Sequence, residues 1–221
     1  MKHGYFFDMD GVIYNSMPHH AQVWEETMQR HHLHFTAQDC YRNEGRTGFD
    51  VIHEVILRDE HREASHEEIA RIYAEKTNAF LAMGHPAPIP DIQDVLHYLK
   101  NQGHVIWIVT GSGQDSLFET LNKDFPNIFA RERMITAYDV THGKPNPEPY
   151  LKAWERSGLQ KEDCCVIENA PLGIRAAKAA GLFTIGVNTG VLTRDDLQQA
   201  GADVVLDNMK QLLEAIRESR F

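Results

Sequence analysis

Tyr5-Phe6-Phe7-Asp8-Met9-Asp10-Gly11-Val12 decides how the rest of this chain is read. Three successive aromatics bounded by a turn signal fit a short buried strand of a parallel sheet covered on both faces. Two carboxylates separated by one residue then stand where that strand ends, which is where ligands of open α/β sheets gather. Acids so close repel each other unless a cation or a shared proton lies between them. The stretch therefore points to a divalent metal, a carboxylate nucleophile, or both, against the plainer alternative of a polar turn. An EF-hand loop is excluded, because its pattern requires Gly at the sixth position and Glu at the twelfth, and Ile13 and His19 stand there.

The chain has 221 residues, 42% hydrophobic and 24% charged, the profile of an ordinary globular protein with a sizeable core. Acidic residues outnumber basic ones 32 to 22, a net charge of -10 that argues against nucleic acid as the main partner. An anionic substrate stays compatible, since a metal and a few placed cations reverse the sign locally. Three cysteines without metal-type spacing, Cys40, Cys164 and Cys165, suit a reducing compartment. The last two are neighbours on an expected strand and would face opposite ways. The histidine clusters His19-His20 and His31-His32-His34 have no partner cysteines and read as solvated surface. With no membrane-length apolar run and no signal-peptide pattern, a cytoplasmic location without membrane contact is expected.

After Val12 the pattern turns helical and stays so to about residue 84. Pro18 suits a helix start, with Trp24, Met28 and His31 at helical spacing. Val51, Ile52, Val55 and Ile56 form a second apolar set behind the turn Gly45-Arg46-Thr47-Gly48, and Ile69, Ile72, Tyr73 and Phe80 a third. The run Gly84-His85-Pro86-Ala87-Pro88-Ile89-Pro90 is a stiff crossing and a domain boundary. From Asp91 strands and helices alternate. Strands are expected at 104–109, 134–136, 164–167, 183–187 and 203–206. Between them come helices opening at Ile92, running to about Asp124, and spanning 149–156 and 173–180. A last one carries Met209, Leu212, Leu213 and Ile216. Such alternation implies βαβ units and a doubly wound, mostly parallel, Rossmann-like α/β sheet. Residues 1–14 and 88–221 would form its core and 15–87 an inserted all-helical cap over the carboxyl end of the first strand, a lid.

Four loops then carry polar groups to one edge: Asp8 and Asp10; Thr110-Gly111-Ser112-Gly113; Lys144 in Gly143-Lys144-Pro145-Asn146-Pro147; and Glu168-Asn169. Each has a bland explanation, a helix cap for Thr110, an exposed lysine for Lys144, a strand-to-helix turn for Glu168-Asn169. Together they supply a nucleophile, a metal site, a positive charge and donors to phosphate oxygens, the parts of phosphoryl transfer. Hard oxygen ligands favour Mg²⁺ over zinc.

These residues give the chain a specific resemblance to the haloacid dehalogenase superfamily, near its beta-phosphoglucomutase-like branch. Asp-Met-Asp-Gly-Val matches the first motif, the Thr110 segment the second, Lys144-Pro-Asn-Pro-Glu-Pro-Tyr the third and Glu168-Asn169-Ala-Pro-Leu-Gly the fourth, in order from Tyr5 to about Asn188. The resemblance implies that Asp8 attacks phosphorus to give an aspartyl-phosphate. Asp10 would protonate the leaving oxygen and then activate water or a second hydroxyl. Thr110, Gly111, Ser112 and Lys144 would hold the phosphate, and Mg²⁺ would sit on Asp8, the Asp10 backbone carbonyl, Glu168 and Asn169. Dehalogenases and phosphonate-cleaving relatives lack an acid at Asp10, so phosphate esters are favoured.

Two departures stand out. Relatives usually carry Asp at Asn169, and the uncharged amide implies weaker metal affinity. Beta-phosphoglucomutases place a lysine and an arginine where Glu44 and Gly48 stand, whereas His20 and Lys76 resemble their lid residues and Arg46 substitutes in part. A mutase must rebind a bisphosphate, and the second anion site is weakened here. A Mg²⁺-dependent phosphatase of a small phosphorylated metabolite, such as a sugar phosphate, is therefore expected ahead of a sugar-phosphate mutase. A non-enzymatic module phosphorylated on Asp8 ranks last, since receivers are about half this length and have no helical lid. The substrate class would be a small phosphate ester, with no nucleic-acid or membrane partner.

Overall fold

In the computed structural model, which describes residues 2–113 and 117–221, the opening aromatics form strand β1 (Gly4–Phe7), fully buried. It pairs in parallel with β2 (Val105–Val109) on one side and β4 (Cys164–Glu168) on the other. With β3 (Met134–Ile135), β5 (Phe183–Val187) and β6 (Val204–Leu206) the order is β3-β2-β1-β4-β5-β6, all neighbours parallel. The order reverses beside β1, so the crevice past the ends of β1 and β4 is the place a doubly wound sheet offers to a ligand.

Period-two alternation sends successive side chains to opposite faces. Tyr5 and Phe7 join Ile106, Ile108, Cys165 and Ile167 on one face. Helices α5 (Ile92–Asn101), α6 (Leu117–Asp124) and α10 (Met209–Arg217) cover it through residues such as Leu96, Leu121 and Leu212. Phe6, Trp107, Cys164 and Val166 form the other face, under Tyr150 and Ala153 of α7 (Glu148–Ser157) and Ala176 and Ala177 of α8 (Pro171–Ala179). The small residues of α8 allow close approach to the sheet. Cys164 and Cys165 thus point apart, as expected. The short α9 (Arg194–Gln199), which the apolar pattern did not reveal, buries only Leu197. Part of the helix expected after Gly113 falls at 114–116, outside the described residues.

Between β1 and α5 the chain forms four helices, α1 (Met17–Arg30), α2 (Ala37–Arg42), α3 (Gly48–Glu60) and α4 (His66–Ala82). They close around their own apolar cluster, Trp24, Met28, Leu33, Phe35, Ile52, Ile56 and Ile72 among others. The periodicity missed α2, which is six residues long and buries only Cys40. The outgoing and returning segments lie side by side, with Asn15 N–H donating to Ala87 O and Ile89 N–H to Ile13 O. Among the described residues no helix is long and apolar enough to cross a membrane.

Candidate active site

Asp8 follows β1 directly, its N–H donating to Ile167 O on β4, so its position is fixed by the sheet. The chain then turns sharply, with Ile13 and Tyr14 N–H both donating to Met9 O. Gly11 makes this turn at φ +78°, and a Cβ there would lie 2.1 Å from Asn169 Nδ2. Glycine is required both for the left-handed backbone and for the space.

Lys144 reaches into the crevice from the loop before α7. Its ammonium donates to Asp8 Oδ1, to Glu168 Oε1 at 2.7 Å and to Val109 O at 3.0 Å, all buried. The loop is fastened from behind by Glu148, whose carboxylate accepts from the N–H groups of Thr141 and His142 at 2.9 and 2.8 Å. The exposed-lysine alternative fails, because Lys144 is 2% exposed. Glu168 is saturated by protein: Oε1 also accepts from Tyr150 OH, and Oε2 from the N–H groups of Asn169 and Ala170. It holds Lys144 in place rather than pointing an unengaged oxygen at the crevice.

Asp10 is held differently. Ser16 Oγ donates to its Oδ1 at 2.5 Å, and His20 Nε2 meets the same oxygen at 3.1 Å. Lys76 Nζ lies 2.8 Å from His20 Nδ1, and as the ammonium can only donate, the imidazole proton stays on Nε2, facing Asp10. His20 also stacks on Phe80, ring centroids 4.2 Å apart. The expectation that His19-His20 is solvated surface is therefore corrected. His20 is drawn inward by this acid–base chain, and His19 has a buried Nδ1 edge against Phe80. His31 likewise pairs with Glu75 at 2.8 Å, while His32 and His34 are exposed. Thr110 and Ser112 follow the end of β2, Ser112 lining the cavity, with Thr110 Oγ1 accepting from Ser112 N–H at 3.0 Å. Arg46 lines the cavity, but its guanidinium is engaged by Asn43 Oδ1 at 3.0 Å and by Glu54.

Charge and burial set the proton affinities. Burial pushes the Asp8 carboxyl up to about 8, Lys144 pulling the other way and Glu168 and Asp10 adding to the rise. Burial alone would lower Lys144, but Asp8 and Glu168 hold it above the ordinary lysine range. Burial would also raise Asp10, but His20, Ser16 and Lys76 outweigh it and bring it to about 2. Lys76 falls to about 8 because burial outweighs the pull of Asp10.

Glu44 is a participant whose role the sequence did not reveal. From the turn before α3 it reaches the core and accepts a hydrogen bond from Asn169 Nδ2 at 2.6 Å. Burial first, then Asp8, Glu168 and Asp10, raise it well above the usual carboxylate range, Asn169 pulling the other way. Ser16 and Tyr150 were also missed. A serine two residues before Pro18 signals a helix cap, yet Ser16 makes no side-chain cap bond and serves Asp10 instead.

Among the described residues no three His, Cys, Asp or Glu side chains converge as a ligand set. A hard cation nevertheless fits. The Asn169 amide nitrogen is spent on Glu44, which turns its buried Oδ1, without a partner, to other use. Asp8 and Glu168 share one ammonium, with the Glu44 and Asp10 carboxyls close enough to raise one another or Asp8, an accumulation of acids that a dication relieves. The available oxygens are the Asp8 carboxylate, the Asp10 carbonyl and Asn169 Oδ1, the oxygen set Mg²⁺ accepts while keeping several waters.

A cavity of about 70 Å³ joins these groups, bounded below by Asp8, Asp10 and Ser112 and above by His20, Glu44, Arg46 and Lys76. Residues 3–181 match the family model described as haloacid dehalogenase-like hydrolase. Over 93% of this chain and 93% of its own, validoxylamine A 7'-phosphate phosphatase of Streptomyces hygroscopicus is 27% identical. Glycerol-1-phosphate phosphohydrolase 2 of Saccharomyces cerevisiae is 31% identical over 93% of this chain and 82% of its own. A solved structure named "Putative beta-phosphoglucomutase", from Bacteroides vulgatus, is 41% identical with a TM-score of 0.93, covering 98% of this chain and 88% of that one.

Proposed function

This chain belongs to the haloacid dehalogenase-like hydrolases, and on that premise we propose that it is a Mg²⁺-dependent phosphatase of a small phosphorylated metabolite, sugar phosphates foremost. In this reading residues 15–87 are a cap over a core of 1–14 and 88–221. The observation that carries it is the buried contact of Lys144 with Asp8 and Glu168, beside an Asp10 held separately by Ser16 and His20. The two acids are thereby set to two tasks, one placed by a cation for attack, the other oriented for proton transfer.

Asp8 attacks phosphorus, the bond from phosphorus to the ester oxygen breaks, and an aspartyl-phosphate forms. Asp10, a carboxylate in the free protein, takes up a proton as the charge of the phosphate enters the crevice and gives it to the departing oxygen. The resulting carboxylate, stabilised by His20, then takes a proton from water as that water attacks phosphorus, which releases phosphate and restores Asp8. Lys144, Thr110, the Gly111 N–H and Ser112 hold the transferring oxygens, Ser112 by its hydroxyl because its N–H is given to Thr110 Oγ1. Asp8, the Asp10 carbonyl and Asn169, with Glu168 behind them, would hold Mg²⁺, which would supply positive charge against the phosphate oxygens. His20, Arg46 and Lys76 face the leaving group from the cap and keep bulk water out.

The named relatives differ in the ester their names give, validoxylamine A 7'-phosphate in one and glycerol 1-phosphate in another, which fits a shared phosphate chemistry under a variable cap. A mutase is the second reading, favoured by the Bacteroides vulgatus structure and by His20 and Lys76. Glu44 counts against it, since it stands where mutases carry a lysine and offers the distal phosphate of a bisphosphate no positive charge. Released phosphate measured across phosphorylated sugars and polyols with Mg²⁺ tests the first reading, and Asp8→Asn must abolish it. Beta-glucose 1-phosphate with a trace of its bisphosphate separates the two: glucose 6-phosphate formed faster than free phosphate supports the mutase.

A further inference from the structure

The glycines of this chain are required for different reasons. Gly84, Gly103 and Gly158 have positive φ and open space where a Cβ would be, so the backbone demands them. Gly111 and Gly143 have no left-handed backbone to justify them, yet a Cβ on either would collide. At Gly111 it would lie 2.8 Å from Arg46 O and 3.0 Å from Gly45 O. At Gly143 it would lie 2.7 Å from Thr47 Cγ2 and 3.1 Å from Thr47 N. Every one of these neighbours belongs to the turn Glu44–Gly48. We propose that Gly111 and Gly143 are positioning residues, two seats on the core whose missing side chains set how near the cap turn comes to the phosphoryl site. The proposal rests on the phosphatase reading for its kinetic consequence, but not for its geometry.

The seats are placed where they matter. Gly111 adjoins Thr110 and Gly143 adjoins Lys144, the two side chains assigned to the phosphate. Between them Gly45 packs against the Lys144 stem, where a Cβ would meet Cδ at 3.1 Å, and Glu44 reaches Asn169. The turn cannot yield alone. Thr47 caps α3, accepting from Asp50 N–H at 3.2 Å and donating to Asp50 Oδ2 at 2.7 Å, so a push on Thr47 moves the helix. A methyl on either seat therefore lifts the turn, separates Glu44 from Asn169 and admits water above Asp8.

The two seats differ in what opposes them, and that difference is the test. Gly143 faces a side-chain methyl, which Thr47→Ser removes while keeping the capping hydroxyl. Gly111 faces only backbone oxygens, which no substitution trims. With p-nitrophenyl phosphate and Mg²⁺, Gly143→Ala and Gly111→Ala are expected to lower kcat/KM about 10- to 100-fold, the usual consequence of displacing catalytic partners by an ångström or less. Thr47→Ser alone stays within about twofold because the cap survives. It recovers most of the loss in Gly143→Ala and none in Gly111→Ala. Amide hydrogen exchange over residues 44–48, read without substrate, rises in both alanine variants and returns toward normal only in Gly143→Ala/Thr47→Ser. Exchange over β1 and β4 stays unchanged, which excludes general unfolding. The proposal is overturned if Gly143→Ala keeps native exchange at 44–48, or if Thr47→Ser rescues both seats alike. Should the native protein hydrolyse no phosphate ester while the exchange pattern holds, the seats stand and the phosphatase reading fails.

Discussion

Asn169→Asp changes one atom's chemistry at the most crowded point of the site. The amide nitrogen that now donates to Glu44 Oε1 at 2.6 Å becomes a second carboxylate oxygen facing the first. The lost hydrogen bond to a charged acceptor is worth about 1.5–3 kcal/mol. Two carboxylates about 4 Å apart repel by roughly 4 kcal/mol at an effective dielectric of ~20. Protonation limits the repulsion, since Glu44 is already raised by burial and by Asp8, so the new pair takes up a proton. Without metal the variant should lose about 2–3 kcal/mol at neutral pH, a fall in Tm of roughly 4–12 °C for a chain of this size. The sign with pH follows from the raised acid. The folded state holds the extra proton, so stability is retained at low pH and lost as pH rises through the raised value. Saturating Mg²⁺ should close or reverse the gap, and the variant should need less Mg²⁺ for half-maximal effect. Urea unfolding in EDTA and in Mg²⁺, at several pH values, reads all of this. Equal stability of the two proteins in EDTA, together with equal Mg²⁺ requirements, would refute the reasoning.

Other perturbations follow from the same geometry. Lys144→Met leaves Asp8 and Glu168 buried without their cation, and should cost about 3–5 kcal/mol in urea unfolding, with turnover lost; a variant of native stability would contradict that. With saturating Mg²⁺ to keep Asp8 ionised, turnover should fall as pH rises through about 8, where Lys76 loses its proton and releases the His20 tautomer. Lys76→Arg should carry that alkaline limb beyond the measurable range, and a limb that does not move excludes Lys76 as its source. Ser16→Ala removes one of two donors on Asp10 and should lower kcat about tenfold with little change in KM, within the range for one positioned proton-transfer partner. A rise in KM alone would assign Ser16 to substrate binding instead.

The sheet was legible because its signals are local and redundant. A run such as Tyr5-Phe6-Phe7 has few ways to be buried, and Gly103, Gly158 and Gly181 mark where helices stop. Helices α2 and α9 escaped because each is six residues long and buries one apolar side chain, too little to set a period. Of the site, the residues at strand ends were legible, since strand direction alone brings Asp8, Thr110 and Glu168 to one edge. Contacts across more than a hundred residues were not. Glu44 and Asn169 read separately as two departures from a family pattern, and only the fold shows them hydrogen-bonded. His20 was misread as surface in its cluster because burial there comes from α4, which carries Phe80 and Lys76 to it. Gly111 was read only as part of the phosphate turn and Gly143 only as loop, because what faces them is visible once the Glu44–Gly48 turn is in place.

The most direct measurement is a rapid acid quench of the protein with substrate and Mg²⁺, followed by mass spectrometry of the peptide containing residue 8. One phosphoryl group should appear on Asp8 within the first turnover, decay at the rate phosphate is released, and be absent from Asp8→Asn. Full turnover by Asp8→Asn, or a burst of phosphate with no modified peptide at the earliest times, would contradict covalent transfer through that carboxylate.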